Sequence, residues 1–559
     1  MKITAVVAAG LGLALALTLP ARAQAPTWQT AVAAGNPATA ASSVSVTAAA
    51  ADASGNVFLT GSFLGTVAFG STNLASAGNL DVFVAKWNPA SGAFVWAQRL
   101  GGTGADVAYG VAVSGTGVYL TGYFTGTVAV GGSTLSSLGA LDGFVAKLTD
   151  AGAGSSFAWS QRFGGPFDDV GYALAASGAS VYVAGGFGGT AGVGGFSLTS
   201  AGATDVLVAK LTDAGASGSF VWAQRAGGPS FDDVSSLALS GTSVYVAGGF
   251  VGTAAFGPAV LTSAGNTGTF VAKLSDAGSG AAFVWARQGA SSGPNIAVAL
   301  AANGSNVYVA GIFNAALGLG SAVLTPAGAF DGFVAKLTDA GPGGSFVWAQ
   351  GMGGAGSDGL RRLAVSGSNV YAAGEFTGQA TFGPFALASV GSSDVVVVKL
   401  TDAGPSATVA WAQRAGGTGT ESVSALALSS TGTLCVGGAL APPVGFGTLP
   451  PVASPFGNSL GFVAALAGNA LATAGVGEPT SLALFPAPAH GRATVQLPAM
   501  PGAATATLTL LDALGRAIRT QTAATGSTAE LDLAGLAPGL YAVRVAAGAS
   551  TATRRLVVE

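Results

Sequence analysis

Along most of the chain, short apolar runs alternate with small polar residues at a period of two. "VSSLALS" (234–240) meets "VYVAG" (from Val244) through the tight turn "GTS", the pattern of a β-hairpin. Each unit also has an "FVAKL"-like and a "FVWAQ"-like strand, joined by a segment such as "TDAGASGS" (212–219), whose Asp and Gly mark a turn. No stretch of this region carries the 3.6-residue period of a helix. Each such unit therefore holds at least four short strands.

The unit repeats. The Trp of "FVWAQ" falls at 96, 159, 222, 285, 348 and 411, in steps of 63 residues, and Trp28 is taken as a first copy. "VYVAG"-like strands begin at Val57, Val118, Val181, Val244, Val307, Val370 and Leu434. "FVAKL"-like strands carry Lys86, Lys147, Lys210, Lys273, Lys336 and Lys399, with Ala465 in the Lys place of the last. Four-stranded units repeated in this number predict a β-propeller of seven blades. The unit exceeds the ~40–50 residues of common propeller repeats. Its excess, between "VYVAGGF" and "FVAKL", is expected to form a long loop or a small extra hairpin. Strand alternation predicts that Phe220 and Trp222 point the same way, into a layer between blades, and that the following Gly pair turns the chain sharply. The last repeat has no Trp strand after "FVAAL" (462–466), so the Trp28 strand is expected to complete that blade and latch the ring.

Segments such as "DASGNVFLTGSF" (52–63) and "DGFVAKLTDAG" (331–341) resemble the seven-bladed β-propeller repeat family of secreted bacterial proteins, over about residues 26–468. That family has no shared catalytic site. After Leu466, "AGNALATAGVGEPTS" reads as a linker, assigned to 469–479. Residues 480–559 lose the repeat and read as the short strands of a small β-sandwich. "LFPAP" (484–488), "LLDALGR" (510–516), "LAPGLYAVRV" (536–545) and the terminal "TRRLVVE" resemble the C-terminal sorting domain, type A, of type IX secretion substrates. One departure is Ala487, where that family usually has Asn. The resemblance implies passage through an outer-membrane translocon. It also implies cleavage by a sortase-like peptidase, followed by surface attachment or release.

Composition narrows the picture. Charged residues are 8% of the chain, against about 25% in an average domain. The net charge is −3 and no basic run exists, so the attraction that drives nucleic-acid binding is missing. Lys2, an apolar run and "PARAQA" form a signal peptide over residues 1–25, cut after Ala23 or Ala25. No other stretch is apolar for long enough to span a bilayer. These features place the mature protein outside the cell or on its surface, exported through the periplasm and outer membrane. The single Cys435 excludes an internal disulfide.

Candidate chemistry is sparse. The one His, His490, lies in the C-terminal segment, so the repeats hold no imidazole for acid–base work. "GNSLG" (457–461) matches G-x-S-x-G but precedes a strand and has no His partner, and it is read as chance. Cys435 stands in the Tyr place of "VYVAG" and is read as core. Ten residues after each repeat Trp stand Asp106, Asp169, Asp232, Asn295, Asp358 and Glu421, at the crossover into the innermost strand. Two readings stay open. The carboxylates of Asp106, Asp169, Asp232, Asp358 and Glu421 cap their own turns, or they ring one mouth of the central channel and hold a polar ligand or a calcium ion. No other cofactor is expected. The reading is a secreted or surface-displayed binding or adhesion module for a glycan or protein ligand, with no catalytic site evident. The alternatives are a carboxylate-dependent glycosidase or lyase, identified by two carboxylates converging in one pocket, and a structural surface-layer component.

Overall fold

A computed structural model describes residues 25–264, 267–454, 456–457, 459–467, 483–486, 488–497, 504–512, 516–547 and 550–559. The leader with Ala23, the linker at 469–479 and Ala487 lie outside them. The described residues are all-β, without helices, and fall into two compact units divided at Asn469.

The first unit is propeller-like. Its sheets are antiparallel four-strand meanders joined in chain order. The third is typical: Asp169–Ser177, Ser180–Phe187, Asp205–Asp213 and Gly218–Ala226. The first strands of successive meanders begin at Ser43, Val107, Asp169, Asp232, Asn295, Gly359 and Glu421. Each packs beside the next, and the Glu421 strand packs back against the Ser43 strand, which closes a ring. Second and third strands, such as "VYVAGGF" and "VLVAKL", are buried along almost their whole length, because both sheet faces meet a neighbouring meander. The apolar clusters lie between meanders accordingly.

In six repeats the excess segment forms the extra hairpin, for example Thr190–Val193 with Phe196–Thr199, and in the seventh it is reduced to Val444–Gly445 with a bridge from Val444 to Val452. The hairpin's first strand crosses to the preceding meander and pairs with the end of that meander's fourth strand: Phe163 opposes Val193 and Gly164 opposes Gly192. Neighbours are thus interlocked through backbone as well as packed. The ring closes as the sequence predicts, with Trp28–Ala33 pairing antiparallel to Leu460–Leu466. Asn36–Pro37 then receives the hairpin strand Thr66–Phe69, so the closure carries the same interlock.

Two expectations are corrected. A β-bulge at Val221 separates the pairs Lys210–Trp222 and Leu211–Phe220. The bulge inserts one residue and breaks the strict alternation, so Phe220 and Trp222 face opposite sides. Phe220 packs with Trp159 and Val193, whereas Trp222 packs with Tyr182, Val244 and Phe256. The Trp28 alignment is also off by two residues. Trp28 pairs with Leu466, as Phe220 pairs with Leu211, and Thr30 opposes Ala465, which holds the Lys place. Thr30, not Trp28, therefore takes the repeat Trp position.

The second unit carries two sheets, one of Ala483–Phe485, Arg492–Gln496 and Thr528–Asp532, the other of Thr505–Leu511, Ala517–Ala524, Gly539–Ala547 and Ser550–Val558. Val495, Leu508, Leu531, Val543 and Leu556 form its core. The expected sandwich strands are present in order.

Candidate functional site

Each acid ten residues after a repeat Trp opens, or directly precedes, the first strand of its meander, where the backbone is pinned to the previous crossover. The amide of Asp169 donates to the carbonyl of Leu141 at 2.9 Å, and that of Asp232 to Thr204 at 2.9 Å. This placement turns the side chains inward. Asp106, Asp169, Asp232, Asp358 and Glu421 are at most 3% exposed. Asp169 accepts the amides of Gly165 (2.6 Å) and Gly188 (3.3 Å), and Asp232 those of Gly228 (2.6 Å) and Val251 (3.3 Å). Asp106 takes Gly102 (2.7 Å) and Thr125 (3.2 Å); Asp358 takes Gly354 (2.6 Å) and Thr377 (2.9 Å); Glu421 takes Gly417 (3.0 Å). Asn295 accepts the amide of Thr269 at 2.8 Å.

The open ring at a channel mouth therefore does not form. Backbone donors at the turn and at the end of the second strand compete for these carboxylates and draw them into the sheet. Among the described residues no group of His, Cys, Asp or Glu is arranged to hold a metal ion.

A second acid stands beside each. Asp142 accepts Arg162 Nη1 at 2.5 Å, and Asp205 accepts Arg225 Nη1 at 2.6 Å; these are the arginines of "FAWSQR" and "FVWAQR". The first Gly of the "GG" pair separates the two acids. Gly227 has φ +144°, and a Cβ there would lie 2.7 Å from Asp205 Cγ and 3.0 Å from Asp232 Oδ2. A Cβ on Gly228 would meet the carbonyl oxygen of Thr253 in the crossing hairpin at 1.8 Å. Burial, with the neighbouring carboxylate adding to it, pushes Asp106 up to about 6 and Asp169 up to about 7; burial also raises Asp232, Asp358 and Glu421.

Missed in the sequence is a polar clasp between meanders. Asp276, of the fourth meander's turn "SDAG", accepts Tyr182 Oη (2.6 Å), Lys210 Nζ (2.6 Å) and Trp222 Nε1 (3.0 Å), all from the third meander. Asp213 gathers the same trio one repeat earlier, and Asp339 and Asp402 one and two repeats later. Burial works upward on these acids, but the hydrogen bonds of Lys, Tyr and Trp outweigh it and hold all four below the ordinary Asp value. The signal was the fixed register of Tyr, Lys, Trp and Asp. Its meaning was hidden because the partners stand 54 to 94 residues apart.

At the closure the trio is absent: Cys435, Ala465 and Thr30 take the three donor places. Trp87, fully buried, packs against Cys435 and Ala465 there. Burial pushes the Cys435 thiol up to about 12, so it is inert at neutral pH. Ser459 of "GNSLG" donates to the carbonyl of Leu440 at 3.3 Å, an ordinary strand contact.

The repeat breaks its symmetry along the channel. Each first strand carries one bulged residue, and these differ: Thr47, Tyr109, Tyr172, Ser235, Val298, Arg361 and Ser424. A cavity of about 140 Å³ lies among the first strands, lined by Thr47, Tyr109, Tyr172, Ser236 and Arg362 among others.

With this geometry in place, the comparisons with known proteins bear on the second unit. Residues 483–559 match the family model of the secretion system C-terminal sorting domain. The tail is a type IX sorting domain. It implies export to the cell surface or the extracellular space by that system. No curated protein matches the chain. Solved structures similar to it include a protein of unknown function from Dyadobacter fermentans, at 10% identity over 79% of this chain and 99% of that one, with a TM-score of 0.33. Another is PorZ, a surface component of the type IX secretion system of Porphyromonas gingivalis, at 11% identity over 92% and 81%, with a TM-score of 0.16. A third is the Trypanosoma rangeli sialidase in complex with sialic acid, at 8% identity over 95% and 87%, with a TM-score of 0.29. Scores at this level leave function untouched.

Proposed function

We propose that the chain is a binding or adhesion module of the cell surface: a seven-bladed β-propeller delivered outside by its sorting domain. The observation that carries the reading is the pairing of two parts, a ring whose repeated polar residues are consumed in building it, and a tail that matches the sorting domain. The seven-blade count is supported by the seven first strands that pack in a closed succession. The mature chain would begin after Ala23 or Ala25 and end between Ala467 and Thr480, after a sortase-like cut.

The paired carboxylates lend no weight to a glycosidase or lyase. They converge in most repeats alike, closed to solvent, rather than in one open pocket. Variable residues at the rims and in the channel are where a ligand would be read. A glycan and surface-protein array probed with the secreted protein tests the reading. Saturable binding to one ligand class is expected. Hydrolysis or cleavage of arrayed glycans, or an absence of binding to every class, would contradict it.

A further inference from the structure

We propose that the central cavity is a binding site for a small oxyanion, a sulfate or a short carboxylate, held by Arg362. The argument is independent of how the protein is exported. Arg362 stands beside the bulge of the sixth meander's first strand, which turns it into the channel. Its Nε donates to the carbonyl of Ser424 at 2.6 Å, Nη1 to that of Arg361 at 2.8 Å and Nη2 to that of Thr47 at 3.4 Å. Every partner is a neutral carbonyl. The adjacent Arg361 takes Glu375, and among the described residues no carboxylate pairs with Arg362. Asp233, near the start of the fourth meander's first strand, takes the hydroxyl of Tyr172.

A half-buried guanidinium hydrogen-bonded only to neutral carbonyls, with Glu375, the acid that acts on it, already held by Arg361, is a costly arrangement. Burial, with Arg361 beside it and Glu375 partly offsetting the two, brings the group down only to about 10, so it stays charged at neutral pH. Guanidinium offers five N–H donors in a planar fork, and the three carbonyls leave two of them free. Tyr109, Tyr172 and Ser236 line the same cavity, and the Tyr172 hydroxyl is the one already given to Asp233. Ser236 accepts the amide of Leu300 at 3.0 Å and keeps its own proton to donate. A cationic fork with two free N–H donors, in one cavity with Tyr109 and Ser236, fits an acceptor-only ligand with at least two oxygens. The cavity, about 140 Å³, is well below the ~300–1,000 Å³ of pockets for drug-sized ligands, which limits the guest to a group of a few heavy atoms.

The test uses the full chain. Crystals soaked in selenate should show an anomalous peak at Arg362. Thermal unfolding at matched ionic strength should show sulfate or acetate, relative to chloride, raising Tm more for the wild type than for Arg362→Gln. The second comparison removes the general stabilisation that sulfate gives any protein. No peak at saturating selenate, equal shifts in both proteins, or occupancy only at molar salt would overturn the proposal. If Arg362→Gln fails to fold, the selenate peak decides alone. Competition of selenate by a sulfated oligosaccharide would identify the anion as one carried on a larger ligand, and its failure would identify a free ion; either supports the site.

Discussion

Four residues of "FVWAQRAGG" have separate tasks in the third meander. Phe220 packs toward the preceding meander, Trp222 reaches Asp276 of the next, Arg225 holds Asp205, and Gly227 clears the gap between Asp205 and Asp232. Where a repeat departs from the motif, its partner shows the loss. "FVWAQGMGG" has Gly351 in the Arg place, and among the described residues no arginine pairs with Asp331 there; it accepts the amide of Ala327 at 2.6 Å and is raised by burial and by Asp358. Gly351→Arg should restore the pair and raise Tm, in the range of about 1 kcal/mol for a half-exposed ion pair; an unchanged or lower Tm in thermal unfolding would show that the pairing adds nothing there. The acids also set a pH dependence. Asp106 and Asp169 titrate higher when folded, at about 6 and about 7, than the ~3.9 of an unfolded Asp. The folded state therefore holds their protons more tightly, and their contribution to stability falls as pH rises from about 4 to 7. Asp213, Asp276, Asp339 and Asp402 are held low, so theirs is present above about 4 and is lost below it. Tm should peak between these windows and decline toward pH 8, and Asp169→Asn should flatten the decline. A Tm climbing steadily from pH 5 to 8 would refute the assignment.

At the scale of elements, strands and hairpins were legible because period-two alternation and turn residues fix them locally. The extra hairpin was legible as an element, but its crossing onto the neighbouring meander was not, since backbone pairing between Gly164 and Gly192 leaves no side-chain signature. The facing of Phe220 and Trp222 was misread for a similar reason: a bulge is one unpaired residue, invisible to a pattern of two. The acids ten residues after each Trp were found by spacing alone. Spacing could not say whether they faced water or backbone amides, which depends on donors from two separate segments, the turn before the acid and the end of the second strand. Closure rests on the Trp28–Ala33 strand, which covers the edge of Leu460–Leu466. Deleting residues 26–33 would bare that edge and remove one of the two rings against Phe446, that of Trp28 at 5.1 Å. Lower Tm and aggregation are expected; a monodisperse deletion variant with wild-type Tm would mean that the ring does not depend on this strand.

Taken whole, the molecule separates two jobs. The ring carries a small fraction of charged residues and uses many of them between or within its meanders, so its outward chemistry lies in the non-repeating positions. The tail shares none of the repeat and matches a sorting domain over residues 483–559. The most direct test of a surface module exported by its tail is the location of two chains, full length and truncated after residue 482, expressed in a bacterium with a type IX system. Antibody labelling of intact cells and blotting of the medium should find the full-length ring outside, and the truncated ring folded but retained in the periplasm. A truncated ring that reaches the surface or medium as efficiently as the full chain would contradict the account.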